Sequence, residues 1–200
     1  MQETENMAGG MSYRTMNSIE IVYLIGYLEG DDENSSKEIL IKNREYYIAS
    51  ANKTISRLEL AKKRVEYGHL SKNYREMIFN KIYSSIKWLE GIKEYINNVS
   101  NTSELLKSDQ YKRWHAVKLI PSAAEGIIIT SSINKKILDI NNNQVTIDKN
   151  SLKSANQHNT NAELIFKDLL NLTIGSDFKK AERLRIEGYR ETVLAVKKIE

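Results

Sequence analysis

Cysteine is absent from this 200-residue chain. That excludes a disulfide framework, a thiolate metal site and a cysteine nucleophile. Proline occurs once, at Pro121, and glycine nine times, far from collagen-like or low-complexity composition. Histidine is scarce as well: His69, His115 and His158 include no pair four residues apart, so the helical zinc site of the HExxH type is missing. The one glycine pair, Gly9-Gly10, is not followed by the Gly-Lys-Ser/Thr of a phosphate loop. Nothing has the form of a nucleophile elbow. No metal and no cofactor is therefore expected. The opening MQETENMAGG has no basic region ahead of an apolar core, unlike a signal peptide. The longest apolar patches, 19–28 and 119–129, are broken by Glu20 and by Pro121, Ser122 and Glu125. They fall short of the run of eighteen or more that a membrane span needs. The expectation is a cytoplasmic protein without a membrane partner.

What is present is charge and helical periodicity. Charged residues make up 28% and apolar ones 40%, enough to build a core. The net charge of +4 is unevenly spread. Residues 1–33 carry seven acidic side chains and one basic, a net of −6, while residues 34–100 carry thirteen basic and seven acidic, a net of +6. A basic body with an acidic leader suits a nucleic-acid binder whose leader competes for the same surface; equally, the leader docks on the basic hairpin or both faces are solvated.

Helix starts are the clearest local signals. Ser35-Ser36-Lys37-Glu38 fits a capping box, and Asn101 with Glu104, Ser122 with Glu125 after Pro121, and Thr160 with Glu163 repeat its spacing. Leu40, Tyr47, Ile48, Ala51, Ile55, Leu58, Ala61 and Val65 form one apolar stripe. After Gly68 a second runs through Leu70, Tyr74, Ile78, Ile82, Ser85, Leu89, Ile92 and Ile96. Most steps are three or four, so the spacing predicts a long antiparallel helical hairpin turning at Tyr67-Gly68-His69. Further helices are expected over 14–29, 161–173 and 177–199. The stretch 117–150 is open between a helix from Ser122 to Ile133 and a small β-hairpin at 136–148, and 150–161 reads as a polar loop. The fold class is mainly α: an acidic leader with a short helix over 1–33, then a single helical-bundle domain over 34–200.

Few residues carry chemistry. Arg64 and His69, five residues apart, are one candidate pair. An i,i+5 step in a continuous helix places them about 140° apart, so they converge only if Gly68 breaks the helix. Tyr111-Lys112-Arg113-Trp114-His115 interleaves aromatics with cations, as single-strand binders do; the competing reading has Trp114 anchoring a helix in the core. In the C-terminal run, Lys179 to Lys198, acidic residues interleave with basic ones as on an ion-paired exposed helix.

The sequence Arg64-Val65-Glu66-Tyr67-Gly68-His69 resembles the Arg-x4–6-His motif of HEPN domains. These are α-helical, often dimeric modules found in metal-independent ribonucleases and toxins. Gly68, Tyr74, Lys81, Tyr83, Ser84 and Ser85 are similar to the helix-turn-helix of archaeal HEPN-like proteins of the PaREP1 type. The segment Ala181 to Tyr189 is similar to their late helix. The resemblance lies mainly in residues 36–98. It implies a helical bundle, a dimer, and Arg64 and His69 as catalytic residues acting on RNA. Here, Val65 follows the motif arginine and the motif lies in the first interhelical turn.

Three readings follow. The first is a non-enzymatic α-helical interaction module, dimeric or joined to a helical protein partner, with nucleic acid as another partner. The second is a HEPN-type ribonuclease using Arg64 and His69. The third is a module that binds a nucleotide or other small anion between its helices. For a ligand or nucleic acid the candidate contacts are Lys81, Tyr83, Arg113, Trp114 and His115, and the third reading needs a pocket that pairs cations.

Overall fold

The computed structural model describes residues 33–105, 107–143, 147–172 and 178–200. Among them are five α-helices, one single-turn 3-10 helix at Thr102–Glu104, and no strand. The helices are α1 (Glu33–Tyr67), α2 (Lys72–Asn98), α3 (Ser108–Asn142), α4 (Lys149–Leu170) and α5 (Phe178–Lys197). The protein is a mainly α helical bundle built on a long hairpin, α1–α2. The acidic leader and the expected helix at 14–29 lie outside the described residues.

The hairpin forms as its stripes require. Leu40, Tyr47, Ala51, Leu58, Ala61 and Val65 from α1 are buried with Ile78, Ile82, Leu89, Ile92 and Ile96 from α2. Gly68 lies just beyond α1, and the Ser71 hydroxyl accepts from the Tyr74 amide to start α2. At the other end of the hairpin the Arg44 guanidinium donates to the Val99 carbonyl. The first half of α3 closes this core. Trp114, 3% exposed, lies between the rings of Tyr47 and Trp88, at centroid distances of 6.1 and 6.3 Å.

The rest of α3 packs against α4 and α5. Phe166 of α4 is fully buried and makes an edge contact of 5.1 Å with Tyr189. Gly126 of α3 and Gly188 of α5 flank its ring. Further along, Ile133, Ile137, Ile140, Ala155, Ala195 and Ile199 form a second, smaller core.

Four local expectations are corrected. Residues 136–142 continue α3, so the first strand of a β-hairpin at 136–148 is not formed. Ile133, Ile137 and Ile140, at helical steps, are all buried, and that packing outweighs the short alternation. Residues 150–161 are helical instead of a loop, because α4 starts at Lys149, where the Asp148 carboxylate accepts from the Ser151 amide at 2.9 Å. Thr160 is thus interior to α4, and its hydroxyl donates to the Asn156 carbonyl. Nor does Ser122 start a helix, since α3 runs through Pro121. Proline there removes the amide that would bond the Val117 carbonyl. Buried Val117, Leu119, Ile120, Ala123, Ala124 and Ile127 on both sides hold the helix together. Asn101 does cap, accepting from the Glu104 amide at 3.1 Å, but for the 3-10 turn. The segment Gln110–Asn142 of α3 is long and apolar enough to cross a membrane, although half of its most apolar window is buried inside the protein.

Candidate functional site

The residues that the sequence singles out are distributed over three places. The helix does break at Gly68, the condition for Arg64 and His69 to converge. The Arg64 guanidinium, however, is committed to Glu125 of α3, with Nη1 2.6 Å from Oε1. The His69 backbone carbonyl accepts the hydroxyl of Ser131 on α3. The imidazole is exposed and makes no contact with Arg64.

Lys81 and Arg113 are brought together. They face one cavity of about 330 Å³, lined by Lys81, Ser84 and Ser85 of α2, Arg113, Ala116, Val117 and Ile120 of α3, and Leu169, Leu170 and Leu172 at the end of α4. That volume lies in the range of small-molecule sites. The lining is mostly apolar, with two cations and two serines among it. Arg113 is held in place by stacking on Trp88, 4.7 Å from the guanidinium carbon to the ring centroid. Burial holds its pKa below the usual arginine value. Neither cation makes an ion pair among the described residues. The Lys81 carbonyl accepts the Ser84 hydroxyl at 3.0 Å, which orients that serine within the lining.

The other candidates lie apart. Tyr83 is half exposed outside the cavity, with Lys62 over its ring at 4.9 Å. Trp114 is a core residue with no face free for base stacking, and its indole N–H meets no acceptor among the described residues. His115 is partly buried and packs edge-on against Tyr111 at 4.4 Å. Burial, reinforced by the Lys118 charge, pushes its imidazole down to about 4, so it is neutral at pH 7.

Apart from Arg64, a groove of about 210 Å³ between α1 and α3 escapes sequence reading; it is lined by Arg57, Leu60, Ala61, Arg64, Pro121, Ser122, Glu125 and Ile128. Beside it stand Lys53 and Lys118. Burial, then the charges of Arg57 and Lys53, hold the Lys118 ammonium below the usual lysine range. The spacing Lys53, Arg57, Leu60, Arg64 is a helical stripe that could have flagged this face, but its partner Lys118 belongs to another helix.

Two further polar clusters tie helices together. The Tyr74 hydroxyl of α2 donates to Glu163 of α4, which also pairs with Lys167 at 2.9 Å. Burial alone would raise the Glu163 carboxyl, but hydrogen bonds from Tyr74 and Lys167 outweigh it and hold it below its ordinary value. His158 Nδ1 lies 2.9 Å from Glu191 Oε2 across α4 and α5. Glu182 and Arg185 form a two-point pair. No group of three or more His, Asp and Glu suited to a metal ion occurs among the described residues. No family model, curated protein or solved structure matches this chain.

Proposed function

We propose that this chain is a non-enzymatic α-helical binding module, active in solution in the cytoplasm, that takes an anionic, phosphate-bearing group into the cavity between α2, α3 and the end of α4. The observation that carries the reading is the convergence of Lys81 and Arg113, neither ion-paired among the described residues, on that one cavity. Two cations in a mostly apolar recess are costly without a counter-anion, because partial burial strips water from their charges. Arg113 offers a planar donor fork already fixed on Trp88, and Lys81 a flexible point charge, a combination suited to phosphate oxygens. The apolar lining of Val117, Ile120, Leu169 and Leu170 suits the uncharged body of a nucleotide. Among the described residues the lining includes no imidazole or carboxylate to serve as a general base, which favours binding over catalysis.

Isothermal titration of the full chain with adenosine monophosphate and with pyrophosphate tests this. We expect binding that Arg113→Ala and Lys81→Ala each weaken by about tenfold or more, the scale of one charge-assisted hydrogen bond. Arg113→Lys should recover only part of the affinity. Equal binding by wild type and both alanine variants, or no binding of either anion at millimolar concentration, would refute the assignment.

A further inference from the structure

The groove between α1 and α3 has charge without a partner. Arg57 lines the groove, and exposed Lys53, one turn earlier on α1, and Lys118, one turn before Ser122 on α3, lie at its end. None of the three makes an ion pair among the described residues, whereas Arg64, further along the same groove, is neutralised by Glu125. Lys118 is also partly buried, with its ammonium 5.9 Å from the Trp114 ring centroid. Three cations on neighbouring turns of two helices make a locally positive surface that an anionic group would complement. Beside them, half-exposed Leu60 and the partly buried Ile128 give the groove an apolar strip.

The chain carries a matching occupant. Residues 1–32 hold Glu3, Glu5, Glu20, Glu29, Asp31 and Asp32 against the single basic Arg14, a net charge of −5, together with the apolar run 19–28. They join α1 at Glu33, twenty residues before Lys53, which is about 30 Å along the helix at 1.5 Å per residue. Thirty-two residues reach at most about 110 Å when extended, so the tether spans that distance with ample slack. Such a tether gives an effective concentration on the millimolar scale, which a free competitor must exceed. We infer that the groove between α1 and α3 is the docking site of the chain's own acidic N-terminal segment, residues 1–32, whose carboxylates meet Lys53, Arg57 and Lys118. This surface is separate from the Lys81–Arg113 cavity, and the inference does not depend on what that cavity binds.

Zero-length carbodiimide cross-linking of the full chain, read by peptide mass spectrometry, tests the inference. At low salt the expected product joins Lys53 or Lys118 to carboxylates of residues 1–32. In 1 M salt, where the screening length is about 3 Å, its yield should fall severalfold. Arg57→Glu combined with Lys118→Glu should abolish cross-linking at Lys53, with an unchanged circular dichroism spectrum showing that the helices persist. Mixing isotopically light and heavy protein separates the sources, since intramolecular docking yields no mixed products. Mixed products would make a second copy the occupant and overturn the inference. It is also overturned if the leader carboxylates react no more with Lys53 and Lys118 than with Lys136 and Lys149. A third overturning result is a groove that instead binds a polyuridylate oligonucleotide, with the binding lost in Lys118→Glu.

Discussion

Gly126→Ala is the sharpest probe of the packing between the two halves of the bundle. In the interior of a helix that exchange should stabilise by about 0.8–1 kcal/mol through propensity alone. At Gly126 the new methyl group would overlap Cδ1, Cδ2 and Cε1 of the Phe166 ring. The ring has no room to withdraw, because it is fully buried and a methyl group on Gly188 behind it would lie only 2.8 Å from Cζ. Overfilling of this kind costs about 1–3 kcal/mol, and expelling the ring would cost about 3–5 kcal/mol. Subtracting the propensity gain leaves a net loss of about 0–2 kcal/mol with the ring in place or about 2–4 kcal/mol if it is expelled, at roughly 2–4 °C in Tm per kcal/mol for this chain length. Gly91 provides the internal control, since a methyl group there meets nothing within 4 Å. Gly91→Ala should gain about 0.5–1 kcal/mol. Urea unfolding of both variants measures the contrast, and a double-mutant cycle with Phe166→Leu measures the coupling, expected at about 0.5–3 kcal/mol. If Gly126→Ala stabilises as much as Gly91→Ala, or if the cycle closes at zero, Phe166 does not sit between the two glycines.

Three other outcomes are expected. Tyr74→Phe should cost about 1–3 kcal/mol at pH 7 by removing a donor from the Glu163 carboxylate. Because the folded pKa of Glu163 is lowered, its contribution is present above the ordinary 4.5 and is lost as the pH falls through the folded value. The Tyr74→Phe penalty should shrink in acid, and a penalty constant from pH 7 to pH 2.5 would contradict this account. His115 is held neutral in the fold with its pKa pushed down to about 4, so only the unfolded chain takes up a proton as the pH falls below 6.5. Stability should drop by at most about 3 kcal/mol between those values and then level off; an imidazole C–H resonance with a midpoint near 6.5 would show the ring to be solvated. Pro121→Ala restores an amide opposite the Val117 carbonyl and should stabilise α3 by about 1–3 kcal/mol, whereas a loss on chemical denaturation would show that the proline's packing in the groove outweighs the restored hydrogen bond.

The hairpin was legible because each of its helices buries one stripe, and Gly68 marks the turn between them. Where residues were misread, a local cue competed with packing from elsewhere. The polar composition of 150–161 suggested a loop, yet Ala155, Asn159, Ala162 and Phe166 are buried at helical steps. Asn159 survives burial because its amide donates to the Thr130 carbonyl at 3.0 Å and to Asn134 Oδ1 at 2.6 Å. A polar core residue of that kind needs partners on another helix, which periodicity cannot reveal. Pro121 looked like a boundary for the same reason, since the apolar contacts that carry α3 past it come from the neighbouring helices. At the candidate site, Lys81 and Arg113 were each identifiable as cations. Their shared cavity was not, because spacing within a helix does not say which faces of two helices will meet.

The arrangement of α3 also has a consequence for synthesis. The apolar face of the α1–α2 hairpin is covered by α3 residues from Trp114 to Ile128, which follow the end of α2 by up to thirty residues. At a translation rate of about 5–20 residues per second, those thirty residues take about 1.5–6 s to appear, whereas a helical hairpin can zip far sooner. During that interval Tyr47, Trp88 and their neighbours stand uncovered on the nascent chain. This protein therefore passes, each time it is made, through a sticky half-built form whose lifetime is set by the ribosome.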